Sequence, residues 1–214
     1  FCLLILINMI KKLYSYTIFD SWNIGVINRP HSIKDINKIK SEDIKWFPMD
    51  GRREFFADPF LICNQNAYYI FYEKYNYVNA IGTISVAQID QRGNILKIYD
   101  NVIESTSHLS YPFIFIENDE YYMIPETSEK AEIALYKCIE FPQKWVKEKI
   151  ILSGYKGIDS TVVKISNTWW LFTSNHEWGH DTMLNIFYAD SIYGEWFPHK
   201  NNPVKYDISS TRSA

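Results

Sequence analysis

The chain repeats one paired unit, FADPFLI at residues 56–62 followed by YYIFYE at residues 68–73, two further times. The second copy is LSYPFIF at 109–115 with YYMIPE at 121–126, and the third is IDSTVV at 158–163 with WWLFTS at 169–174. The copies are in register, because positions 58 and 73, 111 and 126, and 159 and 174 are separated by the same step. A strand-rich repeat of about 50 residues predicts a β-propeller.

Each copy continues with two more strand-like segments joined by a turn, which predicts an all-β fold with four antiparallel strands per blade. We expect blades at residues 56–104, 109–153 and 158–206. Strand-like segments at 24–27 and 44–47 belong to another blade, and TRSA at 211–214 matches the start of a fourth copy. The sequence therefore predicts a single propeller domain over 9–214, truncated at its C-terminal end, with one short helix at 32–39. Residues 1–8 are interpreted as a non-native or remnant leader.

The composition limits the partners and the compartment. The 214 residues are 47% hydrophobic and carry a formal net charge of −3, which supports a full core and gives no basis for binding nucleic acid. Residues 1–8 are apolar but too short to span a bilayer, and they lack the basic residues that begin a signal peptide. Three cysteines at no ligand spacing indicate neither a disulfide framework nor a zinc site. We expect a cytoplasmic protein without a membrane span.

Acidic residues mark equivalent places in the repeats. Asp58 begins the first strand of its blade and Glu73 ends the second, and antiparallel neighbours bring the start of one strand beside the end of the next. Blade repetition then predicts one axial pocket at the propeller mouth, lined by Asp58, Glu73, His108, Tyr111, Glu126, Asp159, Ser174 and Arg212. The alternative for any single acid is a turn contact or a solvated strand end, and for Arg212 it is a salt bridge. The whole set in register favours a ligand site.

A histidine pair lies in HEWGHD at residues 176–181. Two histidines four apart bind zinc on a helix, but this stretch follows a strand and is expected to be a loop. We therefore predict that His176 and His180 belong to a loop reaching over the pocket mouth, and we predict no metal and no cofactor.

Several longer strings resemble a known group of proteins. ADPF at 57–60, HLSYPF at 108–113 with MIPE at 123–126, FYADS at 187–191 and STRSA at 210–214 resemble five-bladed propellers related to family 43 glycoside hydrolases. Among such propellers, the chain resembles the N-terminal domain of glucosamine inositolphosphorylceramide transferases and the same domain in bacterial proteins that carry it beside sugar formyltransferase domains. The resemblance covers roughly residues 20–214 and implies a five-bladed propeller.

The resemblance also implies catalytic positions, of which two are altered. Family 43 enzymes invert, with an aspartate base from blade one, an aspartate that tunes the acid from blade two and a glutamate acid from blade three. Asp58 matches the base, whereas the tuning position holds Tyr111 and the acid position holds the shorter Asp159. Glu126 is a substitute proton donor if neighbouring carboxylates raise its pKa.

Three functions remain open from the sequence. The first is a sugar- or glycan-binding propeller that is an accessory module to a glycosyl- or formyltransferase domain in a longer parent protein. The second is an active glycosidase with Asp58 as base and Glu126 or Asp159 as acid. The third is a propeller used only for protein interaction.

Overall fold

A computed structural model describes residues 21–27, 39–49, 53–177 and 182–208 of the chain. Their regular structure is almost entirely strand, with two single 3₁₀ turns at Ser41–Asp43 and Ser128–Lys130. The expected leader at 1–8, all but the last residue of the expected helix at 32–39, and the repeat start at 211–214 lie outside these ranges. No helix within the described ranges has the length and apolar character needed to cross a bilayer.

Two complete blades have the predicted four antiparallel strands. Blade one consists of β3 (Glu54–Asn64), β4 (Ala67–Asn76), β5 (Ile81–Ile89) and β6 (Ile95–Tyr99). Blade two consists of β7 (Ser110–Glu117), β8 (Glu120–Glu126), β9 (Glu132–Glu140) and β10 (Lys144–Ser153). Ahead of them, β1 (Gly25–Ile27) pairs with β2 (Ile44–Trp46), close to the expected positions.

Blade three has a divided outer edge. It consists of β11 (Gly157–Ile165), β12 (Thr168–Asn175), β13 (Met183–Ala189) and β14 (Phe197–Pro198), and β15 (Lys205–Tyr206) pairs with the other end of β13. Between the two short strands, the Asn202 side chain takes the place of a strand backbone. Its Oδ1 accepts the Ile186 N–H at 2.9 Å, and its Nδ2 donates to the Ile186 carbonyl at 2.7 Å.

The apolar core consists of layers between adjacent sheets, as expected for a propeller. Side chains alternate along each strand, so Ile70 and Tyr72 of β4 pack towards Ile24 and Phe47, while Phe71 packs towards blade two. The same alternation in β8 sends neighbouring side chains into the layers on either side of blade two. The inner strand β7 contacts both β3 and β11, which brings the starts of the three inner strands together.

Candidate functional site

The three inner strands share a bulge at the positions singled out by the repeat. Asp58, Tyr111 and Asp159 have φ angles of 51°, 43° and 50°, in the left-handed region that non-glycine residues rarely adopt. At each of them the ladder to the next strand loses its register. A bulge re-aims side chains and backbone groups, and such backbone conformations cluster at functional sites.

The bulges connect neighbouring blades through carboxylates. The Tyr111 N–H of blade two donates to Asp58 Oδ2 of blade one at 3.1 Å. In the same way the Asp159 N–H of blade three donates to Glu126 Oε2 of blade two at 3.3 Å. Ser128 Oγ donates to the other Glu126 oxygen at 2.9 Å. Asp58 and Glu126 are therefore held in place by the backbone of the next blade.

Glu73 lies beside His108 on β4, three residues before that strand ends. The sequence placed Glu73 at a strand end and Asp58 at a strand start, but both lie inside longer strands. The Gly82 N–H donates to His108 Nδ1 at 2.9 Å, so the proton of the neutral imidazole is on Nε2, which faces Glu73 Oε1 at 3.5 Å. Burial lowers the pKa of His108, an effect that Glu129 opposes, and the imidazole is accordingly neutral at pH 7. Gly82 leaves the space for this arrangement, because a Cβ there would lie 2.5 Å from Glu73 Oε1 and 2.7 Å from the Leu109 carbonyl oxygen.

Glu73 is held as an uncharged acid. Its side chain is buried, and burial together with the charges of Asp58, Glu126 and Asp159 raises its pKa to about 8. Glu73 and His108 are therefore a neutral pair at pH 7. A carboxylic acid among carboxylates can donate a hydrogen bond that an ionised carboxylate cannot.

These groups line a cavity of about 840 Å³ at the propeller mouth. Of the site residues predicted from the sequence, the cavity brings together Asp58, Glu73, His108, Glu126, Asp159 and His176. Tyr111 points elsewhere: its ring packs edge-on against Phe60, and its hydroxyl lies 2.9 Å from Thr161 Oγ1. Ser174 is buried on β12, whereas His180 and Arg212 lie outside the described residues.

An aromatic wall completes the cavity and was not anticipated from the sequence. Phe55 and Tyr75 stack with centroids 4.8 Å apart, Tyr77 packs edge-on against both, and Trp22 is 62% exposed at the lip. The signal available in the sequence was the aromatic pair flanking the repeat, Phe55 before Asp58 and Tyr75 after Glu73. It was hidden by the abundance of aromatic residues in the chain, which are 17% of the total.

The acids of the cavity are not arranged as a metal centre. Within the described part of the chain, no group of three histidine, cysteine, aspartate or glutamate side chains is placed to hold a metal ion. His176 lines the cavity from the segment after β12, where its N–H donates to the Lys156 carbonyl at 2.9 Å.

Solved structures with the same fold are glycoside hydrolases. A thermostable family 43 glycoside hydrolase superposes with a TM-score of 0.54 at 15% identity, over 71% of this chain and 56% of that one. The catalytic domain of the Coprinopsis cinerea family 62 α-L-arabinofuranosidase superposes with a TM-score of 0.60 at 14% identity, over 75% and 55% of the two chains. These are five-bladed propellers, and they confirm the predicted fold.

Sequence relatives are transferases of greater length. Glucosamine inositolphosphorylceramide transferase 1 of Arabidopsis thaliana is 34% identical over 204 residues, which are 86% of this chain and 26% of the relative. The chain thus spans about a quarter of that relative. The family described as glucosamine inositolphosphorylceramide transferase 1, N-terminal, matches residues 47–214. The chain therefore belongs to the family of the N-terminal domain of glucosamine inositolphosphorylceramide transferase 1, with a fold like that of family 43 glycoside hydrolases.

Proposed function

We propose that this chain is a carbohydrate-recognising propeller domain that serves a sugar-modifying transferase domain on the same polypeptide. The observation that carries the proposal is the mouth cavity, which combines an aromatic wall with carboxyl groups in fixed positions. Aromatic faces pack against the apolar face of a sugar ring, and carboxylates accept hydrogen bonds from its hydroxyl groups.

The size of the cavity fits this role. About 840 Å³ is within the range of cavities that hold small ligands, which are concave, largely preformed and equipped with a few placed polar groups. Asp58 and Glu126 need no rearrangement to meet a sugar, because the backbone of the next blade already orients them.

An accessory role is supported by the altered catalytic positions and by the relatives. Tyr111 occupies the tuning position and turns its side chain into the packing between blades. The relatives are named for a transferase reaction, and this chain matches only 26% of the length of the Arabidopsis protein. We infer that the rest of such a protein carries the transferase chemistry while the propeller holds a glycan.

The proposal is tested by a glycan array with the wild-type protein and Tyr75→Ala. We expect the wild type to retain a subset of glycans and the variant to bind them about tenfold less tightly, because it loses one stacking face. Ile150→Ala is the matched control, since Ile150 is exposed on the outer strand of blade two. Absence of any retained glycan, or equal binding by Tyr75→Ala, would contradict the proposal.

Glycoside hydrolysis is the second candidate function, and the protonation of Glu73 favours it. A neutral acid and an ionised carboxylate facing one cavity are the groups that glycosidases use as proton donor and base. Turnover of any arrayed glycoside that Asp58→Asn abolishes would establish this function. Binding without turnover in both proteins would leave recognition as the role of the domain.

A further inference from the structure

Glu73 occupies none of the three family 43 catalytic positions, yet the cavity is built around it. It extends from β4 between blades one and two and is only 5% exposed. Gly82, on the neighbouring strand β5, has no side chain that would displace it. Burying an ionisable side chain on a cavity wall costs free energy, which an exposed acid does not incur, so we expect Glu73 to have a function.

The charged and titratable groups around Glu73 lie on three neighbouring strands and on the connection between β6 and β7. Asp58 comes from β3, Glu126 from β8 and Asp159 from β11, and all three are acidic. His108 comes from the connection between β6 and β7, with Glu129 behind it, and His176 lines the same cavity. The neutral His108 adds no positive charge to this group, so the surroundings oppose a fourth negative charge on Glu73.

The contact between His108 and Glu73 indicates which carboxyl oxygen carries the acid proton. His108 Nδ1 accepts from the Gly82 backbone, so the Nε2–H of the imidazole faces Glu73 Oε1. With Oε1 facing a donor, the acid proton is placed on Oε2. Glu73 lines the cavity, where a ligand atom can accept a hydrogen bond from this O–H.

We propose that Glu73 is the specificity-determining hydrogen-bond donor of the cavity: as a neutral acid it donates from Oε2 to an oxygen of an uncharged glycan, and its ionisation abolishes that contact. This inference rests on the proposed glycan recognition and adds the group that selects among glycans. The neighbouring carboxylates accept from sugar hydroxyls, so Glu73 supplies the complementary donor. An anionic sugar is excluded by the three acids.

The pH dependence of binding separates a neutral donor from a carboxylate acceptor. The raised pKa predicts that wild-type affinity for neutral glycans is constant up to about pH 8 and then falls about tenfold per pH unit. Glu73→Gln keeps an N–H donor and cannot ionise, so its affinity at pH 9 should equal its affinity at pH 7. Glu148→Gln, on the exposed outer strand of blade two, should retain the wild-type pH profile.

The experiment has two arms. The first measures dissociation constants of arrayed neutral, acidic and amine-bearing glycans at pH 7 and 9 for the three proteins, with circular dichroism verifying the fold. The second follows the ¹³C carboxyl resonance of Glu73 in the ligand-free wild type, assigned by its loss in Glu73→Gln. A midpoint near pH 8 with the predicted affinity profile supports the inference.

Other outcomes overturn it in distinguishable ways. A Glu73 midpoint below pH 6 removes the neutral donor whether or not glycans bind. Wild-type binding of neutral glycans that is the same at both pH values, or a Glu73→Gln variant that loses affinity like the wild type, overturns the donor role and leaves glycan recognition standing. Retention of no glycan at either pH overturns the proposed function and the donor role with it.

Discussion

At the scale of single residues, the cavity uses carboxyl groups in two protonation states for two purposes. Asp58 and Glu126 accept hydrogen bonds from backbone N–H groups of the next blade and so link the blades at the mouth of the propeller. Glu73, enclosed by them and by Asp159, is held as a neutral acid. The environment of each group, and not its residue type, decides what it does.

Asp58 should contribute to stability through the N–H of Tyr111. Asp58→Ala leaves that partly buried donor without its acceptor, and we expect a loss of about 1–3 kcal/mol in the free energy of unfolding. Asp58→Asn keeps an acceptor oxygen and should lose less than half as much. Urea denaturation measures both variants, and equal losses would show that the hydrogen bond is unimportant.

The protonation of Glu73 should make stability depend on pH. Between pH 4.5, the ordinary pKa of a glutamate, and about pH 8, Glu73 holds its proton in the folded state and releases it in the unfolded state. The free energy of unfolding must therefore fall as pH rises through this interval. The slope is about 1.4 kcal/mol per pH unit. Denaturation between pH 6.5 and 8 isolates this effect, since the lowered pKa of His108 costs stability only below about pH 6.5.

Glu73→Gln is the control for this prediction. The amide does not titrate, so the variant should have a nearly flat profile over the same interval and should be more stable than the wild type at pH 8. A wild-type profile parallel to that of the variant would contradict the neutral state of Glu73.

At the scale of strands, the outer edge of blade three depends on one amide side chain. Asn202 links the ends of β14 and β15 by pairing both backbone groups of Ile186. Asn202→Ala should reduce the free energy of unfolding by about 1–3 kcal/mol, because the partly buried Ile186 N–H loses its acceptor and the Ile186 carbonyl keeps only the His199 N–H. Ile150→Ala, an exposed position on blade two, is the control, and an Asn202→Ala loss no larger than that of the control would argue against the bridging role.

The strand pattern was predictable from the sequence, whereas the bulges were not. The equal step between Asp58 and Glu73 and between their counterparts predicted the hairpins, since it depends only on local alternation. It did not predict the strand ends, because both residues lie inside their strands. The left-handed backbone of Tyr111 depends on Asp58 of the preceding blade, which is 53 positions away in sequence. The orientation of the Tyr111 ring, which packs between blades, depends likewise on Phe60 and Thr161 in the adjacent blades.

At the scale of the whole molecule, each apolar layer belongs to two sheets, so the blades should unfold together. Leu135 is fully buried in the layer between blades two and three. Leu135→Ala should cost about 2–5 kcal/mol and shift the unfolding transitions seen by tryptophan fluorescence and circular dichroism by the same amount. The exposed Ile150→Ala should have little effect. Unfolding transitions with different midpoints by fluorescence and by circular dichroism would contradict cooperative unfolding of the blades.

We expect the mouth cavity of the propeller to bind a glycan. This binding is tested by titrating the ¹⁵N-labelled protein with the same glycans in solution and following the amide resonances of Gly82, Tyr111 and Asp159. These N–H groups donate to His108, Asp58 and Glu126, so a sugar that engages those side chains must change their environment. We predict saturable shifts at all three amides. Shifts confined to the outer strands, or none with any glycan, would contradict the account.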